Sequence, residues 1–210
     1  MKTILLVATF CISTIYIHAQ GFHFGANLSG VSSQIEGDKL RGFHHFGYSF
    51  GLIGGYTFTE AHYLVVSPQY SYFGSKRKNE RPGNETKQIF VEMDLSTINV
   101  LFGYSYRFGD SWTEEKKYRI NAGVRVHRLL NAQTNIIRTG QIEAVTIDQK
   151  ADLTNFFSTL ELGVGLNLTR HLGLELSYDH SLQNILKNKK ASLTKLAPFY
   201  LSLGVSYYFF

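Results

Sequence analysis

Four groups of side chains in this sequence have the types that do chemistry. Asp179, His180 and Ser181 stand in succession, and carboxylate, imidazole and hydroxyl are the parts of a nucleophile, its base and an orienting acid. They end a stretch of strand-like alternation in which neighbours point to opposite faces, so a working trio would need one of them to leave strand geometry, and no catalytic residue is expected. His44 and His45 are an adjacent pair without further ligands at coordinating spacing, so neither a metal nor a cofactor is expected. A third group, Arg107, Arg119, Arg125 and His127 with Glu161, Glu175 and Asp179, lies on the polar side of alternating segments. The fourth is basic: Lys76, Arg77, Lys78 and Arg81 in one connection, and Lys187, Lys189 and Lys190 in another.

What must position these groups is a set of segments with the strand period of two. In Leu172 to Asp179 the residues Leu172, Leu174, Leu176 and Tyr178 share one face, and Gly173, Glu175, Ser177 and Asp179 share the other. Ile98 to Phe108, Tyr118 to His127, Leu160 to Leu168 and Phe199 to Phe209 repeat the pattern, and Phe22 to Ser29, Phe46 to Phe58 and Tyr63 to Tyr72 complete eight predicted strands. Their connections alternate in length. Thr59 to His62, Gly109 to Lys117 and Thr169 to His171 are short, whereas Gly30 to His45, Phe73 to Met93, Arg128 to Asn155 and His180 to Pro198 are long. Short turns at one end and long loops at the other predict an all-β fold, an eight-stranded antiparallel up-and-down transmembrane β-barrel with periplasmic turns and external loops.

Residues 1–19 read as a secretory signal peptide, with Lys2 as the positive start, an apolar run from Ile4 to Ile17 and cleavage after Ala19. The chain's single cysteine, Cys11, falls inside that segment, so residues 20–210, the barrel domain, carry neither disulfide nor thiol chemistry. The rest of the composition agrees. With 44% apolar residues, 16 Phe, 13 Tyr and 19 Gly, the chain is too apolar for disorder, and a formal charge of +5 spread along it gives no nucleic-acid footprint.

The polar face consists largely of Gly, Ser and Asn, which suits a crowded lumen better than a wet exterior. The other face carries Leu, Val and Ile at mid-strand and rings near the ends, the arrangement of an apolar belt between two interfacial girdles. Ionisable groups in so narrow a lumen have to pair. Arg125 is expected between Glu161 and Glu175, and Arg107 and Arg119 beside turn carboxylates such as Asp110, as a structural plug with a narrow gated pore as the alternative. The basic external clusters suit the anionic headgroups of lipopolysaccharide.

Short patterns in order along the chain carry a resemblance to a family. They are Ala19 and Gln20 at the start, Phe24 to Ser29, Tyr70 to Gly74, Gly123 with Val124, Leu129 to Asn131, Leu162 to Gly165, Leu174 to Tyr178, and Gln183 to Ile185. In these the chain resembles the PorT-like outer-membrane barrels of Bacteroidota. The ending Tyr207, Tyr208, Phe209 and Phe210 resembles the signal read by the barrel assembly machinery, although the apolar face runs to Phe209 and not to the final residue. Taken together these readings predict a monomeric, non-enzymatic protein of the cell outer membrane, structural or surface-interacting in type, with a small gated pore as the alternative and a lipid A-modifying enzyme as the less favoured one. Its partners would be lipid, lipopolysaccharide, the assembly machinery and components of a secretion system.

Overall fold

The computed structural model describes residues 21–37, 42–76, 89–109, 117–138, 145–187 and 195–209. The expected signal segment, Asp110, Arg77, Lys78, Arg81, Lys189, Lys190 and Phe210 lie outside the described residues. Among the described residues nine strands form: β1 (Phe22–Glu36), β2 (His45–Thr59), β3 (His62–Lys76), β4 (Ile89–Phe108), β5 (Tyr118–Arg138), β6 (Val145–Asp148), β7 (Phe156–Asn167), β8 (Leu172–Ser181) and β9 (Ala197–Tyr208). Eight of them close an antiparallel ring in chain order, with β9 pairing back onto β1, while β6 pairs only with β5 outside the ring. Closure leaves no sheet edge at membrane depth, the condition for strands to cross lipid.

Alternation is realised as two faces. Leu28, Leu52, Val66, Phe102, Leu162 and Leu203 are exposed on the outside, flanked by rings such as Tyr106, Phe108 and Tyr118 toward the short turns and Phe46, Tyr48 and Phe156 toward the long loops. Ser67, Asn99, Arg119, Arg125, Glu161 and Asp179 are buried inside. In water this would be an inverted protein, and in a bilayer it is the arrangement that satisfies both solvents.

The expected connections need correction, because several strands run well into them. β4 and β5 have 20 and 21 residues, about twice the 9–11 that span a bilayer, and β1, β2 and β3 have 15 each. The ladder continues past the membrane because its inner residues switch from polar to apolar. Val31, Ile35, Phe73, Leu95, Leu129 and Ala132 are all buried in one cluster at the outer end. On β5 the period also slips: Ser96 pairs with Asn131 and Thr97 with Leu129, so Leu130 is extra and the inward set moves from Arg125, His127 and Leu129 to Ala132 and Thr134. The apolar-out pattern breaks at Arg128 outside and Leu129 inside, and the bulge then shifts the count, which is why a strict period of two lost β5 after His127.

Position on the ring sets the cost of a charge. Leu203→Arg, on the lipid face of β9, is expected to destabilise the barrel by about 2–4 kcal/mol in denaturant titrations in lipid vesicles. Ile147→Arg, on β6 outside the ring, should stay within about 0.5 kcal/mol of wild type.

Candidate functional site

The lumen is built in three levels, set by the side chains that each strand turns inward. At the short-turn end Arg119 of β5 reaches across to three other strands. Its guanidinium donates to Glu175 Oε2 at 2.8 Å, Tyr208 Oη at 3.0 Å, Ser206 Oγ at 3.2 Å and Asn167 Oδ1 at 3.2 Å. Asn121 Nδ2 holds the other oxygen of Glu175 at 2.7 Å. Two glycines make room for this arm, since a Cβ at Gly165 would lie 2.2 Å from Arg119 Nε and one at Gly173 would lie 3.1 Å from Nη1. Beside it Arg107 lays its guanidinium over the ring of Tyr63, 4.3 Å from the centroid.

The middle level is a cation held by two carboxylates and two amides. Arg125 donates through Nη2 to Glu161, through Nε to Asp179 Oδ1 at 3.2 Å, and through Nη1 to Gln69 Oε1 at 2.8 Å and Asn99 Oδ1 at 2.9 Å. Thr159 Oγ1 donates to Asp179 Oδ1 at 2.9 Å, and Asn99 Nδ2 and Gln69 Nε2 donate to Ser71 and Ser67. Register explains the set, because Glu161 of β7 lies opposite Asp179 of β8, and Arg125 of β5 lies opposite Thr159. Three guanidiniums thus share the lumen with three carboxylates.

The outer level is apolar and closed by the chain itself. Leu153, Ile185 and Leu196 are fully or almost fully buried above Phe73, Phe157 and Tyr200. Backbone bonds knit the loops that carry them: Thr154 N to Ile185 O at 2.7 Å, Ile185 N to Leu196 O at 2.8 Å and Lys187 N to Asp152 O at 2.9 Å. Asn184 Oδ1 accepts from both Leu186 N and Leu196 N at 3.0 and 2.9 Å. This is a lid over the mouth of the barrel.

Between Arg125 and the Arg119 level lies a narrow gap with room for a few waters, lined by Ser29, Ser49, Tyr63, Ser105, Asn121 and Ser177 among others. Buried oxygens of Asn27, Tyr63, Ser105 and Asn121 and the Nε of Arg107 have no hydrogen-bond partner there.

Several expected site residues are brought together differently. Arg125 sits between Glu161 and Asp179, not between Glu161 and Glu175, because Glu175 lies opposite Gly165, two residues further along β7 toward the short turn than Gly163. Glu175 is instead the partner of Arg119, which was expected beside a turn carboxylate. His127 is no member of the charge network: it stacks on Phe157 at 4.5 Å and bonds only to the hydroxyls of Thr97 and Thr159, since its height on β5 is already that of the apolar level. Asp179 and Ser181 are buried inside the barrel, while His180 stacks against Tyr178 on the outer face, so the consecutive trio is split between two faces. Tyr208, expected in the assembly signal, turns into the lumen onto Arg119, and Phe209 faces out. Of the basic clusters Lys76 and Lys187 are described, and Lys76 Nζ lies 3.2 Å from Glu92 Oε1. Sequence reasoning missed Gln69, Asn99 and Thr159, whose only signal was their place on the inward register. It also missed Asp94 and Glu92, which meet His45 from 49 and 47 residues away.

Residues 18–187 match the model of the outer membrane protein beta-barrel domain. Among solved structures the chain is similar to Ail, the attachment invasion locus protein of Yersinia pestis, in complex with the heparin analogue sucrose octasulfate. That likeness has 11% identity and a TM-score of 0.51, and covers 90% of this chain and all of Ail. Neisserial surface protein A is similar at 16% identity and TM-score 0.46, over 90% of this chain and 97% of that one. The outer membrane protein OprG of Pseudomonas aeruginosa is similar at 13% identity and TM-score 0.40, over 90% and 96%. Among curated proteins no sequence matches.

Truncating the central cation should be far worse than replacing the whole cluster. Arg125→Met strands two buried carboxylates and is expected to cost about 3–5 kcal/mol, read as a lower unfolding midpoint in denaturant. The triple variant Arg125→Met, Glu161→Gln, Asp179→Asn should recover most of that loss. Gly165→Val should displace Arg119 and weaken the barrel by about 1–3 kcal/mol through overpacking.

Proposed function

Because the chain belongs to the outer membrane protein beta-barrel domain family, we propose that it is a non-catalytic outer-membrane barrel that acts through its external face. The observation that carries this reading is the apolar level with its lid. Ile185, Leu153 and Leu196 close the lumen on the external side, so a solute has no open path through the barrel, and contact at the surface is what remains. Strands that rise beyond the bilayer on the β1 to β5 side form a rigid stalk for that contact, and loops on rigid scaffolds are where binding concentrates. Lys76 and Lys187 at the external end, with Arg77, Lys78, Arg81, Lys189 and Lys190 near them in sequence, are the chemistry for a polyanion, above all the phosphates of lipopolysaccharide. The Ail structure holds a ligand of that charge class. The PorT-like resemblance extends the proposal to an accessory of protein secretion, in which secretion-system components would meet this same face.

A second reading, a gated pore, is favoured by the polar-lined gap on the short-turn side of Arg125, which would reach the exterior if the lid, the apolar level beneath it and the Arg125 network moved together. Two measurements separate the readings. In planar bilayers the wild-type protein is expected to give no steady conductance; a steady wild-type current that Arg125→Ala alters would select the pore. Replacing Lys76, Arg77, Lys78 and Arg81 by Ser should lower co-purified lipopolysaccharide several-fold, and unchanged retention would count against the surface reading.

A further inference from the structure

At the outer rim, away from the lumen network, His45 at the start of β2 faces Glu92 and Asp94 of β4. His45 Nε2 lies 2.8 Å from Asp94 Oδ1 and 3.9 Å from Glu92 Oε1, and the three ligand atoms all fall within 4.8 Å of one another. We propose that His45, Glu92 and Asp94 form a binding site for a divalent transition-metal cation of the zinc class.

The hydrogen bonds around the imidazole point to a cation. Ser33 Oγ has one proton and gives it to Gly74 O at 2.8 Å, while accepting from Gly74 N at 2.9 Å. Its contact of 3.4 Å with His45 Nδ1 therefore needs the proton on Nδ1. Nε2 is left facing two carboxylates, and a bare nitrogen lone pair 2.8 Å from a carboxylate oxygen is repelled, so a positive charge belongs between them. A second proton would serve, and so would a metal. The remaining contacts are those that orient metal ligands: Tyr72 Oη donates to Asp94 Oδ1 at 2.7 Å, and Asn135 Nδ2 donates to Asp94 Oδ2 at 3.1 Å.

Ligand chemistry selects the class. One imidazole nitrogen with two carboxylates suits zinc or manganese, whereas calcium and magnesium prefer six or more oxygens. A tetrahedral ion with bonds near 2.1 Å separates its ligand atoms by about 3.4 Å. The present 2.8 and 3.9 Å lie on either side of that spacing and all three ligand atoms fall within 4.8 Å of one another, so side-chain adjustments on the order of an ångström would build the site. His45 is almost fully buried, Asp94 is 15% exposed and Glu92 29%, which fixes one ligand and leaves an open approach past the other two. Lys76, 3.2 Å from Glu92 Oε1, is the competitor that an ion has to displace. A bound ion would tie the outer end of β2 to β4 across the top of β3, stiffening the rim that carries the external loops.

The test uses the folded full barrel in detergent, stripped with a chelator and titrated calorimetrically with zinc chloride, with calcium chloride in parallel. The expected result is one zinc per chain at this site, with calcium at least about tenfold weaker. His45→Gln, Asp94→Asn and Glu92→Gln should each weaken zinc by at least about tenfold, and Lys76→Ser should tighten it. Heat-modifiable gel migration reports that each variant is folded, and zinc should raise the temperature at which wild type loses its folded migration. If His45→Gln fails to fold, Glu92→Gln at the open side decides alone. Zinc binding that is the same in Glu92→Gln as in wild type, or calcium bound in preference to zinc, overturns the proposal.

Discussion

Closure of the ladder between β1 and β9 is the interaction on which the rest of the molecule depends. In hydrocarbon an unpaired backbone N–H or C=O has no water to turn to, so eight strands are viable only as a ring. The closing register runs from Gly25 opposite Tyr208 to Glu36 opposite Ala197, past the membrane at its outer end. Close approach at this seam leaves no room for a side chain at Gly25, where a Cβ would lie 2.3 Å from Tyr207 O. An eight-membered ring in turn has a narrow lumen, and every polar group inside it must then be satisfied by another inside group or by solvent.

The lumen answers that demand with opposite solutions at its two ends. Toward the short turns, Arg119 is held by Glu175, Tyr208, Ser206 and Asn167 and Arg107 by the ring of Tyr63, and a narrow polar-lined gap is left between them and Arg125. Toward the exterior, aliphatic and aromatic residues fill the ring and the loops fold in over them. Arg125 stands at the border, where four charge-assisted bonds offset the cost of removing it from water. The polarity of the molecule, sealed outside and polar inside, is a property of these levels and not of any single residue.

Much of this was legible because the strand period is local. Each residue's parity on Leu172 to Asp179 or Phe199 to Phe209 follows from its neighbours, and parity tells lipid face from lumen face, which is why Arg119, Arg125, Glu161, Glu175 and Asp179 were all expected inside. Partner choice was not legible. It depends on the stagger between strands: Glu161 opposite Asp179, and Glu175 opposite Gly165, decide that Arg125 takes Asp179 and leaves Glu175 to Arg119. Nor were the strand ends legible, because Val31, Leu95 and Ala132 extend the ladder with an apolar interior that breaks the apolar-out pattern, and the bulge at Leu130 shifts the count by one.

The sequence by itself determined the class, the number of strands in the ring and the face of nearly every residue, since these follow from periodicity and from the alternation of short and long connections. Only the tertiary structure decided which charges pair, that Ile185 and Leu153 form a lid, and that His45 meets two carboxylates more than forty residues away. The physical reason is the same in each case. Hydrophobic periodicity is written along one strand, whereas pairing, capping and ligand sets depend on the relative heights of strands distant in sequence, which the closed ladder sets.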